Sequence, residues 1–104
     1  MSTLNELLQK RVVLDTAGPM IYIGTLQAVD ERGYWLSDAD VHNRGDGHST
    51  KEEYINEAHQ LELGGSRRVN RKRVFVERLA IISLSALDDI VAEDVGDDAG
   101  NWTP

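Results

Sequence analysis

The sequence predicts a mostly β chain. A short N-terminal helix leads into five antiparallel strands in a strongly bent small barrel, with a partly helical insertion between strands three and four. Three observations carry this expectation. Runs of β-branched and aromatic residues are punctuated by Asp, Gly and Pro turn clusters. The longest such run holds an interior glycine, Gly24, which marks a sharp bend of the kind needed to curl a strand into a small barrel. Beyond the N-terminus, helical spacing is confined to one stretch near residues 50–61.

Taken in order, Thr3-Leu4-Asn5-Glu6 fits a capping box, and Leu4, Leu7 and Leu8 form one apolar face, so a helix is expected over 3–9. Val12, Val13 and Leu14 form a short strand stopped by Asp15-Thr16-Ala17-Gly18-Pro19. Met20 to Val29 is the second strand, with Ile21, Ile23, Thr25 and Gln27 on one face and Tyr22, Gly24, Leu26 and Ala28 on the other. Asp30-Glu31-Arg32-Gly33 is a tight turn, and Tyr34-Trp35-Leu36 opens a third strand. From about Asp38 to Asn70 the β pattern is interrupted. Within that stretch Ser49/Thr50 with Glu52 and Glu53 signals a helix start, Tyr54, Ile55, Ala58 and Leu61 recur at helical spacing, and Gly64-Gly65-Ser66 ends the helix. Val74 to Leu87 reads as two strands broken near Glu77–Leu79. A helix competes there, but Phe75, Val76, Ile81 and Ile82 favour strand.

Length and composition bound the function. A chain of 104 residues with 40% hydrophobic and 28% charged side chains is expected to form one globular domain. With no cysteine, disulfide scaffolds, thiolate zinc sites and cysteine nucleophiles are excluded. No apolar stretch approaches the ~18 residues of a membrane span, and Met-Ser-Thr-Leu-Asn lacks a basic leader start, so a soluble, cytoplasmic protein is expected.

The net charge of −7 argues at first against nucleic acid. Its distribution removes the objection. Asp88, Asp89, Glu93, Asp94, Asp97 and Asp98 lie in residues 88–104 with no base among them, leaving 12 acids and 11 bases in residues 1–87. Arg67, Arg68, Arg71, Lys72 and Arg73 crowd five positive charges into seven residues. The expected organisation is a domain over 1–87, with an insertion over about 41–70, followed by an acidic tail over 88–104. Such a tail is a solubilising end, or an internal competitor for the basic segment.

Tyr22-Ile23-Gly24-Thr25-Leu26, the turn led by Val29-Asp30, and the strand exit Leu36-Ser37-Asp38-Ala39-Asp40 resemble the first half of the signature of the Sm/LSm family, ring-forming RNA-binding proteins with a small SH3-like barrel. Val74 to Leu84 resembles the second half in spacing, so the resemblance covers most of residues 3–87. Two features depart from the family pattern. The turn at Asp30 is one residue short and lacks the Asn that reads a base, and Glu77-Arg78 replaces an Arg-Gly pair.

The resemblance implies a closed ring in which the fourth strand pairs with a neighbour's fifth. It implies binding of single-stranded RNA, or single-stranded DNA, at pore-side turns. On that basis Asp30 orients the pore loop, Arg32 contacts phosphate or base, and Arg78 belongs to the second pore-facing turn. Tyr34 and Trp35 stand beside the Asp30 turn, where family members stack bases; neighbours on a strand point to opposite faces, so at most one of the two faces outward. Tyr34 is taken as the candidate, with packing or subunit contact as the competing role. Arg67, Arg68, Arg71, Lys72 and Arg73 supply phosphate contacts, or form a solvated run balanced by Glu52, Glu53, Glu57 and Glu62. The alternative function is an oligomeric Sm-like scaffold or protein-interaction module without nucleic-acid binding, motivated by the two departures, the long insertion and the tail.

Other signals are weak. His42, His48 and His59 with Asp38, Asp40 and Asp46 match no compact ligand spacing, so no metal is expected. Arg44-Gly45-Asp46 and Asn101-Trp102-Thr103 are short patterns best explained by chance in a protein that is not secreted. No nucleophile elbow, phosphate-binding loop or dinucleotide fingerprint is present; neither catalysis nor a cofactor is expected.

Overall fold

The computed structural model describes residues 3–46 and 50–91. His48, Ser49, the tail acids Glu93, Asp94, Asp97 and Asp98, and Asn101-Trp102-Thr103 lie outside the described residues, as do the side chains of Thr3 and Asp46. The elements are α1 (Thr3–Leu7), β1 (Arg11–Thr16), β2 (Met20–Val29), β3 (Gly33–Asn43), α2 (Lys51–Leu63), β4 (Arg71–Glu77) and β5 (Ile81–Ala86). The five strands form one antiparallel sheet in the order β4-β3-β2-β1-β5, with β4 and β5 at its edges.

Helix α1 stops at Leu7 rather than residue 9, because Gln9 adopts a left-handed φ of 68°. Its N–H then bonds the Leu26 carbonyl at 2.7 Å, and the Leu26 N–H bonds the Lys10 carbonyl at 2.9 Å, which delivers the chain into β1.

The expected interruption at Asp38 does not occur. β3 runs on to Asn43, and Asp38 and Asp40 lie inside the strand rather than at its exit. The reason is the length of β2: its first half needs a partner, and Met20, Ile21, Tyr22 and Ile23 pair with Asn43, His42, Val41 and Asp40. The register slips between Ile23 and Thr25, and Asp38 sits there with φ 47°, a bulge conformation that Asp tolerates better than most residues. Gly24 lies across from this bulge. A Cβ on Gly24 would come within 3.0 Å of the Cβ atoms of both Ala39 and Leu36, so the bend expected at Gly24 is a close approach of β2 to β3. The run from Val74 to Leu87 breaks between β4 and β5 near where expected, at a 3-10 turn over Arg78–Ala80.

The sheet buries both faces. On the inner face Val12, Leu14, Leu26, Leu36, Ala39 and Val76 pack together, joined by Leu7 and Leu8 at the α1 end. On the outer face Val13, Ile21 and Ile23 pack under Tyr54, Ile55 and Ala58 of α2. Helix α2 begins as the sequence predicts: Thr50 is its N-cap, and a capping box with Glu53 is complete. Gly64 closes it, followed by Gly65 at φ 93°.

Two ion pairs hold α2 along β1. Lys51 at its start bonds Asp15 at 2.6 Å and the Thr16 carbonyl at 2.7 Å. Glu62 near its end accepts two hydrogen bonds from Arg11 Nε and one, at 2.7 Å, from the terminal guanidinium nitrogen. The spans agree: Arg11 to Asp15 is about 13 Å along a strand, and Lys51 to Glu62 about 16 Å along a helix. Between these anchors the Tyr54 hydroxyl donates to Asp40, and the His42 ring stacks on Tyr54 with centroids 4.0 Å apart. Burial and the adjacent Asp40 carboxylate push the Tyr54 hydroxyl far above its ordinary pKa of 10.0.

Three predictions follow from this packing. Arg11→Met strands the Glu62 carboxylate, whose side chain is only 13% exposed, and lowers urea stability by about 3 kcal/mol; Arg11→Met/Glu62→Leu recovers much of it. A Cβ on Gly33 would stand 2.1 Å from the Val76 carbonyl oxygen, so Gly33→Ala costs about 3 kcal/mol or more, whereas Gly18→Ala, in open space, changes stability by about 0.5 kcal/mol or less. Because the folded state holds the Tyr54 proton more tightly, its contribution is complete below pH ~10 and is lost as pH rises further. Above that pH the wild type loses up to about 1.4 kcal/mol per pH unit more than Tyr54→Phe, read from urea melts at stepped pH.

Candidate nucleic-acid interface

The β2–β3 and β4–β5 turns, far apart in sequence, are stitched together at one end of the sheet. Asp30 organises the first. Its Oδ1 accepts the N–H groups of Arg32 (2.8 Å) and Gly33 (3.1 Å), while its own N–H bonds the Gly33 carbonyl at 3.0 Å. The Arg32 carbonyl then accepts the Arg78 N–H at 2.7 Å, and the Arg32 guanidinium reaches Glu77 at 3.2 Å. Glu77 therefore pairs across to Arg32 rather than with its neighbour Arg78. The Arg32–Glu77 pair is open to solvent on both sides, at 77% and 54% exposure, so it contributes little to stability and is readily exchanged for another anion or cation.

The basic segment divides in two. Arg67 lies 3.5 Å from Asp38 and 4.0 Å from Glu62, and Arg68 lies 3.2 Å from Glu57 and over the Tyr54 ring. These two bind the loop back onto α2 and β3. Of the four acids expected to balance the run, Glu57 and Glu62 take part; Glu53 caps the helix instead. Arg71, Lys72 and Arg73 lie exposed on the edge strand β4, and among the described residues none of the three has a carboxylate within ion-pair distance.

Tyr34 is half-buried against the inner core, on the face that carries Leu36, Val74 and Val76. Trp35 takes the opposite face, as strand alternation requires. It pairs across strands with Phe75, ring centroids 5.1 Å apart, and Arg73 places its guanidinium 4.4 Å above the Trp35 ring. Trp35, Phe75, Asp30, Arg32 and Glu77 line a hollow of about 290 Å³. Sequence reasoning weighed packing or subunit contact for Tyr34 and Trp35 alike, took Tyr34 as the candidate, and did not single out Phe75. The available signal was that Val74 and Val76 flank Phe75 in period two, which sends Phe75 to the face opposite the core.

Of the histidines described, His42 packs on Tyr54, and His59, buried on α2, lies 3.8 Å from Asp88. Among the described residues no three metal-ligating side chains gather, and no helix is long and apolar enough to cross a membrane.

No family model and no curated protein matches the sequence. Solved structures do match the fold. An Sm protein of Pyrococcus abyssii, determined in complex with a uridine heptamer, superposes with a TM-score of 0.53 at 13% identity, over 83% of this chain and 99% of that one. A chain of the NatC complex bound to CoA superposes equally, 0.53 at 16% identity, over 83% and 86%. A Sm-like archaeal protein from Pyrobaculum aerophilum gives 0.49 at 21% identity, over 80% of this chain and 47% of that one. With the leading helix and the five-stranded antiparallel sheet, the chain has an Sm-like fold.

Proposed function

We propose that this protein assembles edge to edge into a closed ring and binds single-stranded nucleic acid, RNA foremost and single-stranded DNA by the same contacts. The observation that carries the reading is the pair of turns held side by side by the Arg78–Arg32 backbone hydrogen bond, which presents Arg32 and Arg78 together at one end of the sheet. The Pyrococcus abyssii protein of the same fold was captured with a uridine heptamer, which supports RNA as the ligand class. Asp30 orients the turn; Arg32, Arg78 and the exposed Arg71, Lys72 and Arg73 face phosphate; Tyr34 supports the turn from the core side. Arg67 and Arg68 hold the loop and contribute charge at longer range.

Assembly follows from the two unpaired edges. Ile82 on β5 is 63% exposed and Leu79 in the preceding turn 92% exposed, both apolar and left uncovered by the described residues. Two β4 edges meeting would set Arg71, Lys72 and Arg73 against a like cluster, whereas β5 (Ile81-Ile82-Ser83-Leu84-Ser85-Ala86) carries no charge. A β4 edge therefore prefers a neighbour's β5, and that head-to-tail contact closes into a ring. In this reading residues 1–87 are the ring-forming domain and 88–104 its solubilising tail, the protein works in the cytoplasm, and it acts by binding rather than by catalysis, without cofactor or metal.

A second reading, a scaffold within a protein assembly, draws on the NatC likeness and on the carboxylates that already occupy Arg67 and Arg68. One pair of measurements separates the two. Light scattering is expected to give a multiple of 11.6 kDa; a monomer overturns the ring. Oligouridine anisotropy is expected to show binding that weakens steeply from about 50 to 200 mM salt, and Arg32→Ala/Arg78→Ala is expected to flatten that dependence by about 1.4 in log–log slope. Absence of binding at both salts overturns the nucleic-acid reading in favour of the scaffold.

A further inference from the structure

We infer that each boundary of the edge-to-edge assembly is locked by charge. Asp88 and Asp89, just past the end of β5, pair with Arg71 and Lys72 at the start of a neighbouring copy's β4. The lock rests on the assembly proposed above and adds to it the residues that set which way the two edges meet.

The two edges carry their charge unevenly. β4 begins with Arg71, Lys72 and Arg73 and ends with Glu77. β5 itself is uncharged, but Arg78 stands in the turn before it and Asp88 and Asp89 in the turn after it. The strands are seven and six residues long, so their ends come level when the edges pair. Run antiparallel, the neighbour's Asp88 and Asp89 fall beside Arg71 and Lys72, and its Arg78 falls beside Glu77. Run parallel, the same acids meet Glu77, and Arg78 meets the basic cluster. One direction is attractive at both ends and the other repulsive at both.

Both sets of charges are available. Among the described residues Arg71 and Lys72 have no carboxylate within ion-pair distance, whereas Arg73 lies over the Trp35 ring. Among the same residues Asp89 has no cation within that distance, and Asp88 has the His59 imidazole at 3.8 Å. Asp88 and Asp89 are exposed, and with Glu6, Lys10 and Ala86 they line a hollow of about 360 Å³ between α1 and the end of β5. Three carboxylates there are offset by Lys10, since Arg11 at its side is bound to Glu62. A long cationic side chain reaching in from a neighbour suits that charge. Strand alternation sends Arg71 to the Trp35 side of β4 and Lys72 to the other, so the acidic turn is met from both faces. Pairs this open add little affinity by themselves. Their weight lies in direction, because like charges set against one another are strongly unfavourable.

The test exchanges the charges in the full chain. Asp88→Lys/Asp89→Lys makes both sides of the boundary basic, and Arg71→Glu/Lys72→Glu makes both acidic. Sedimentation over a dilution series at low salt is expected to show each variant alone assembling only at a concentration about tenfold or more above that of the wild type. An equimolar mixture sets one variant's β4 against the other's β5 with opposite charges and is expected to recover assembly. All four substituted side chains are exposed, and thermal melts confirm that each variant is folded. Asp88→Asn/Asp89→Asn, which removes the charge without reversing it, weakens assembly in the same direction by a smaller factor. A wild type that stays monomeric overturns the assembly and the lock together. Variants that assemble as the wild type does overturn the lock and leave the assembly standing. A mixture that recovers nothing also overturns the lock, because the acids and the cations then do not face each other.

Discussion

The Arg11 guanidinium is the point on which the architecture turns. From the first residue of β1 it binds Glu62 of α2, the Thr25 hydroxyl of β2 at 3.2 Å and the Asp38 carbonyl of β3 at 2.7 Å. Four separate elements meet on one planar group, which matches their geometry because it offers several donors in a fixed fork. The Asp38 carbonyl that accepts this bond belongs to the bulge residue itself, so the positive φ of Asp38 and the Arg11 contact fall at one point of the sheet.

This arrangement sets what the outer face can do. By pinning the end of α2 at Arg11, it places the helix over Val13, Ile21 and Ile23, and among the described residues no helix packs on the Trp35–Phe75 pair. The inner face is filled by its own side chains and by Leu7 and Leu8 of α1, so the sheet is covered on both sides near β1 and on one side near β4. At the β4 end stand the two turns, the aromatic pair and Arg71, Lys72 and Arg73, which have no carboxylate partner among the described residues. At the flanks stand the two unpaired edges. The long segment between β3 and β4 is therefore a cover that ends short of the Trp35–Phe75 pair.

How much of this was legible depended on sequence distance. The turn at Asp30 was readable because its chemistry is local: Asp30 bonds residues two and three positions ahead. The α2 capping box and glycine stop were readable for the same reason. The extent of β3 was not, since Ser37-Asp38-Ala39-Asp40 has too many acids to look like a strand until the first half of β2 claims it as a partner. The division of the basic segment was equally hidden. Whether an arginine is spent or available depends on acids 11 residues away in Glu57 and 29 away in Asp38.

By itself the sequence determined the strand and helix inventory, the near-neutral body behind an acidic tail, and the resemblance to an Sm-like barrel, because periodicity, turn residues and charge are properties of neighbours along the chain. Only the tertiary structure decided which cations pair with the described carboxylates, which aromatic faces out, and that Trp35 and Phe75 meet across strands. Those are pairings across strands 40 residues apart, and a one-residue change of register would send every side chain involved to the opposite face.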